Sequence, residues 1–231
     1  MKKMLLAAAT AIAVTAAPGH AVVVLCQTPN CVVTDENVLI DAQSASSTIF
    51  GSTNLTNTSV RFTSPTPINE LLIGGANGQA KVTADDGLLN GLTFTIQTGK
   101  VFETAVFNLF PLEGNDPNEA PFADISWIGP GGNVGVTTIA LSGSGQNDTG
   151  IYGTAGELFT GITFRSNPLT AGIDEFKQLR LGGIGNAPPP NDDDDPPTPV
   201  PEASTWAMMI IGFGMMGAVI RRKQARRLAL A

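Results

Sequence analysis

The chain has 231 residues, room for one domain of ordinary size with processed segments at its ends, and a formal net charge of −7. The basic residues cluster at Lys2–Lys3 and at Arg221, Arg222, Lys223, Arg226 and Arg227, so that residues 22–202 hold six of them against all 20 acids, a net of −14. Such a body repels polyphosphates, which excludes nucleic acid as a partner, and a sole histidine at His20 excludes Ser-His-Asp chemistry and histidine-ligated zinc once that segment is removed.

In chain order, residues 1–21 have the three parts of a secretory signal: Lys2 and Lys3, an apolar run from Met4 to about Ala17, and a small-residue exit at Gly19-His20-Ala21. Cleavage is expected after Ala21, because the apolar run is short for a membrane anchor and stops at Pro18-Gly19. A lipoprotein signal at Cys26 is disfavoured by the bulky Leu25 before it. Export places Cys26 and Cys31, the two cysteines of the chain, in an oxidising compartment, and Pro29-Asn30 between them is a turn signal. A disulfide closing a small loop is expected; four intervening residues do not suit a redox pair, and two ligands do not make a zinc site.

Residues 22–185 have the composition of an all-β domain, rich in Thr, Val, Ile, Phe, Gly and Asn, with turn residues every 8 to 12 positions. Leu92, Phe94 and Ile96 alternate with Thr93, Thr95 and Gln97, which marks a half-buried strand. Comparable runs include SVRFTS, AKVTADD, VFETAVFNLF, ADISWIG, VTTIALSG, LFTGITFRS and FKQLRLGGI. Nine to eleven strands predict an antiparallel β-sandwich of jelly-roll type, with a core of Phe50, Phe62, Leu72, Phe94, Phe107, Leu109, Ile125, Ile139, Phe164 and Leu179; a barrel remains open. The best helix signal is one short stretch, Ala171 to Gln178.

Residues 186–200, NAPPPNDDDDPPTPV, form a linker in which proline and like charge enforce extension, reaching about 45 Å at about 3.1 Å per residue. A calcium site in Asp192 to Asp195 is disfavoured, because proline-flanked aspartates do not converge on an ion, and no metal or cofactor is expected. Residues 203–220 then carry no charge and, as a helix, would span about 27 Å, just enough for a bilayer core. Arg221, Arg222 and Lys223 would stop transfer on the cytoplasmic side, leaving the linker outside.

Pro201, Glu202, Trp206 and Ala207, followed by the apolar run MMIIGFGMMGAVI and the basic cluster at 221–231, resemble the PEP-CTERM sorting signal in its PEPxxWA variant, with Ala203 where the family has its second proline. The resemblance covers residues 201–231 and implies an exosortase partner that removes the helix. It further implies an inner-membrane precursor in a Gram-negative exopolysaccharide producer, later released or attached at the cell surface.

Three functions follow from the body. The first is a non-enzymatic structural or adhesive surface protein associated with exopolysaccharide. The second is a lectin-like module that stacks sugars on Tyr152, placed in a Gly-rich turn, or on Trp127, whose parity with Ile125 favours an inward ring. The third is a secreted glycosidase, which needs two facing carboxylates such as Asp124 with Glu103 or Asp85. Asn54, Asn57 and Asn147 match the glycosylation tripeptide.

Overall fold

Alternating burial runs along the strands of the computed structural model, which describes residues 22–28, 31–76, 79–112, 116–132 and 134–189. In chain order the strands are β1 (Val23–Cys26), β2 (Glu36–Leu39), β3 (Gln43–Ser46), β4 (Thr48–Thr53), β5 (Ser59–Thr63), β6 (Leu72–Ala76), β7 (Ala80–Ala84) and β8 (Gly91–Ile96). They continue with β9 (Lys100–Val101), β10 (Thr104–Phe110), β11 (Phe122–Ile128), β12 (Val134–Ala140), β13 (Asn147–Gly153), β14 (Gly161–Asn167), β15 (Glu175–Gly182) and β16 (Gly185–Asn186). The signal segment, most of the linker and the sorting tail lie outside the described residues. Among those described, no helix is long and apolar enough to cross a membrane.

The all-β antiparallel expectation holds. Fourteen strands form one curled sheet in the order β1-β13-β10-β15-β2-β4-β5-β8-β14-β11-β12, with β7, β6 and β3 branching from β15. The two halves of the curled sheet are continuous through β2, which divides its partners. Glu36 and Asn37 pair with Leu181 and Arg180 of β15, whereas Val38 and Leu39 pair with Thr53 and Ser52 of β4. The pair β9–β16 stands apart, and the compact unit ends at Pro188.

The halves meet on phenylalanine. Phe62, Phe94 and Phe164 come from β5, β8 and β14, and Phe107 and Phe176 from β10 and β15. Across the interface, Phe176 lies 6.3 Å from Phe62, 5.9 Å from Phe94 and 6.3 Å from Phe164, while Phe94 lies 6.0 Å from Phe107. Each buried ring removes a large apolar area from water and contributes about 1.5–3 kcal/mol, so this cluster is the main cohesive element between the halves.

Two sequence expectations are corrected. Phe50 is not core: it is 53% exposed, because β4 pairs with β5 in the register Ile49↔Phe62 and Phe50↔Arg61, which turns Ile49 inward and Phe50 out. With two consecutive apolar residues, parity is decided by the partner strand rather than by composition. Ala171–Gln178 is not a helix: Gly172 and Ile173 make isolated bridges to Glu119 and Leu89, and Glu175 already begins β15 between β10 and β7. Gln178 takes a positive φ of 59° where the β10–β15 register shifts, so a bulge absorbs the apolar pattern that mimicked a helical turn.

Candidate functional sites

Cys26 and Cys31 are joined in a disulfide with their Cα atoms 6.3 Å apart. The bridge rests on β13 at Gly150, the residue opposite Cys26, where an added Cβ would lie 2.8 Å from Cys31 Sγ and 2.9 Å from Cys26 Sγ. The absence of a side chain at 150 is therefore what lets the loop close onto the sheet.

Tyr152 stands in β13 rather than in a turn, opposite Val24 on one side and Thr104 on the other. It is half-buried and borders a hollow of about 220 Å³ with Cys31, Val33, Glu103 and Glu157. Trp127 packs against the core, and its indole covers the bare backbone of Gly135, leaving no room for a Cβ there. The two rings sit in different halves of the curled sheet, Trp127 on β11 and Tyr152 on β13.

The carboxylates divide into structural groups. Glu175, 7% exposed, is gripped by Lys81 and Lys177, and Lys177 also lies 3.4 Å from the Phe110 ring centroid. Burial alone would raise the Glu175 pKa, but the hydrogen bonds from Lys177 and Lys81 hold it below the usual value; the Glu175 hydrogen bond in turn raises Lys81. Glu36 is buried yet also lowered, because it accepts the N–H groups of Leu55 (3.3 Å) and Thr56 (2.9 Å) and the Thr56 hydroxyl (3.0 Å). Glu70 behaves oppositely: burial, with the negative charge of Asp86, pushes it up to about 7 against the stabilising Asn90 and Gly91 amides.

The three acids weighed for hydrolysis have separate surroundings. Asp124 accepts hydrogen bonds from Thr138 Oγ1 at 2.5 Å and Asn167 Nδ2 at 3.3 Å. Glu103 lies against Gly183, and Asp85 lines a shallow hollow with Glu70 and Asp86. Among the described residues, no three His, Cys, Asp or Glu side chains are placed so as to hold a metal ion together. Asn147 is buried and its amide bonds Leu109 O (3.0 Å) and Ser142 O (3.1 Å), so its acceptor tripeptide is not presented for glycosylation.

One site was missed in the sequence. The outer face of β4, β5 and β8 forms an open cleft of about 480 Å³ bordered by Phe50, Arg61, Gln97 and Lys100. Its signal was present in the alternation of TSVRFT, which turns Arg61 outward between Val60 and Phe62, but the misassigned parity of Phe50 concealed the pairing.

Pro201, Glu202, Trp206, Ala207, Arg221, Arg222 and Lys223 lie outside the described residues. Residues 199–223 match the family model of the PEP-CTERM protein-sorting motif, a segment that contains all seven. No curated protein matches the chain. The chain thus carries a PEP-CTERM protein-sorting motif, which marks it as an exported, membrane-anchored precursor addressed to an exosortase.

Proposed function

We propose that the mature protein is a non-enzymatic surface component: the curled β domain, followed by the proline- and aspartate-rich linker, serves a structural or adhesive role in the producer's exopolysaccharide. The observation that carries this reading is the conjunction of a sorting motif at 199–223 with a compact β unit ending at Pro188 and an acid- and proline-rich segment between them. The exosortase cuts near Pro201–Glu202, and the domain passes to the cell surface or the surrounding matrix. The cysteine pair supports the same route, because a disulfide persists in an oxidising compartment. Asp124 lies on β11 and Glu103 just before β10, in different halves of the curled sheet, which favours this reading over a glycosidase.

Fractionation of the producing cells tests it. The wild-type chain should be recovered from the outer surface or medium, and the P201A/E202A double variant should accumulate in the inner membrane at its full mass. Equal surface recovery of both would contradict a role for the motif in delivery.

A lectin-like activity is the second reading, favoured by the exposed aromatic ring of Phe50 beside polar side chains. Sugar faces pack on such rings through their C–H groups while hydroxyls find nearby donors and acceptors.

A further inference from the structure

Four strands contribute to one transverse row on the outside of the curled sheet. Phe50 on β4 lies opposite Arg61 on β5, Arg61 opposite Thr95 on β8, and Thr95 opposite Gly161 on β14. Residues directly opposite on antiparallel strands share a face, so the ring, the guanidinium and the hydroxyl project together, and the glycine leaves the end of the row without a side chain. Gln97, from the turn after β8, and Lys100, which opens β9, wall one side.

The backbone that carries the aromatic ring is held by a side chain acting as a strand neighbour. Gln43 Nε2 donates to Phe50 O at 2.6 Å, and Phe50 N donates to Gln43 Oε1 at 3.1 Å. Both backbone groups of Phe50 are thereby engaged on that edge, which fixes the origin of an exposed ring. Lys100 is likewise anchored: its Nζ donates to Asn186 Oδ1 at 2.8 Å, and its backbone pairs with β16.

The charge is unlike that of the rest of the domain. Two of the six basic residues in a body of net charge −14 border this cleft, and no carboxylate lines it. Among the described residues the ion pairs are those of Glu175 with Lys81 and Lys177, so Arg61 and Lys100 carry uncompensated charge. At physiological ionic strength the Debye length is about 8 Å, so a ligand in the cleft experiences these two cations more strongly than the distant acids.

We propose that the Phe50–Arg61–Lys100 cleft binds an anionic polysaccharide chain, one bearing carboxylate sugars. A pyranose face stacks on Phe50, the Arg61 fork takes a sugar carboxylate in two hydrogen bonds, and Lys100 receives the next charge along the chain. Ser59, Thr95 and Gln97 supply donors and acceptors for neutral hydroxyls. An open cleft suits a polymer, which must enter and leave sideways. The proposal names a ligand class for the adhesive reading and rests on that reading only for the source of the polymer.

The test is native affinity electrophoresis of the full chain in non-ionic detergent, through gels containing polygalacturonate, dextran or poly-aspartate. Polygalacturonate should retard the wild type, and 0.5 M salt should abolish the effect. R61Q with K100Q should weaken apparent affinity about tenfold or more, as loss of charge-assisted hydrogen bonds implies, and F50A about fivefold. R180Q, which removes one charge at an exposed arginine on β15 where R61Q/K100Q removes two, should change it less than twofold, and a thermal melt of each variant checks folding. An unretarded wild type, equal retardation by poly-aspartate or dextran, or an R61Q/K100Q variant indistinguishable from R180Q would overturn the proposal. A chain delivered to the surface but indifferent to polygalacturonate sinks the cleft while delivery by the motif stands; retardation unaffected by the cleft variants sinks the cleft and leaves adhesion.

Discussion

Glu175 has both oxygens committed to lysines that themselves bridge strands, Lys81 on β7 and Lys177 on β15. Its removal leaves cations at a junction of three strands, so E175Q should destabilise the domain by about 1–3 kcal/mol in urea unfolding. A change below a few tenths would show that the trio is merely a solvated surface group. Glu70 supplies a pH dependence of opposite sign. Its folded pKa is raised from 4.5 to about 7, so its contribution is fully present below the unfolded value and is lost as pH rises through the folded one. The wild-type melting temperature should therefore fall between about pH 5 and pH 8, and E70Q should flatten that decline. An unchanged slope in E70Q would refute the assignment. Glu36 and Glu175, both lowered, act at the other end: their stabilisation is present above about 4.5 and lost as pH falls through their folded values.

At the scale of elements, the Cys26–Cys31 bridge and Gly150 form one unit. Closing a loop this short contributes about 2 kcal/mol by chain entropy, which C26A/C31A should forfeit. G150A should also destabilise, because its Cβ meets both sulfurs, but it should cost less in the C26A/C31A background than in the wild type. Additive costs in urea melts would separate the glycine from the bridge. The cysteine spacing and the turn signal between the two cysteines were legible in the sequence; the glycine on another strand, more than a hundred residues away, was not. Strand pattern was equally legible wherever alternation was clean, as in β8, and failed where neighbours decide parity. Thr48-Ile49-Phe50 admits either facing, and only the pairing with β5 selects one. AGIDEFKQ has helical spacing over barely two turns, too little to outweigh burial of Phe176 and Glu175 in the ladder. The cleft was obscure for the same reason: it is built from cross-strand neighbours that no local window contains.

For the whole molecule, the chain has two physically different parts, a contiguous sorting motif and a folded β domain. The sorting motif is contiguous, so its pattern was readable from the residues alone, and the family model covers it at residues 199–223. The β domain yields its chemistry only after folding, which is why composition set its negative charge but could not find the acid-free cleft described above. Ala203 permits helix where a proline would hold the segment extended, so A203P should raise the processed fraction of the chain in a pulse-chase measurement. The most direct measurement is the intact mass of the protein recovered from otherwise identical cells with and without exosortase. The account predicts loss of everything after about Pro201 or Glu202 only where the enzyme is present; a full-length C-terminus in both strains would contradict it and leave a permanent membrane anchor.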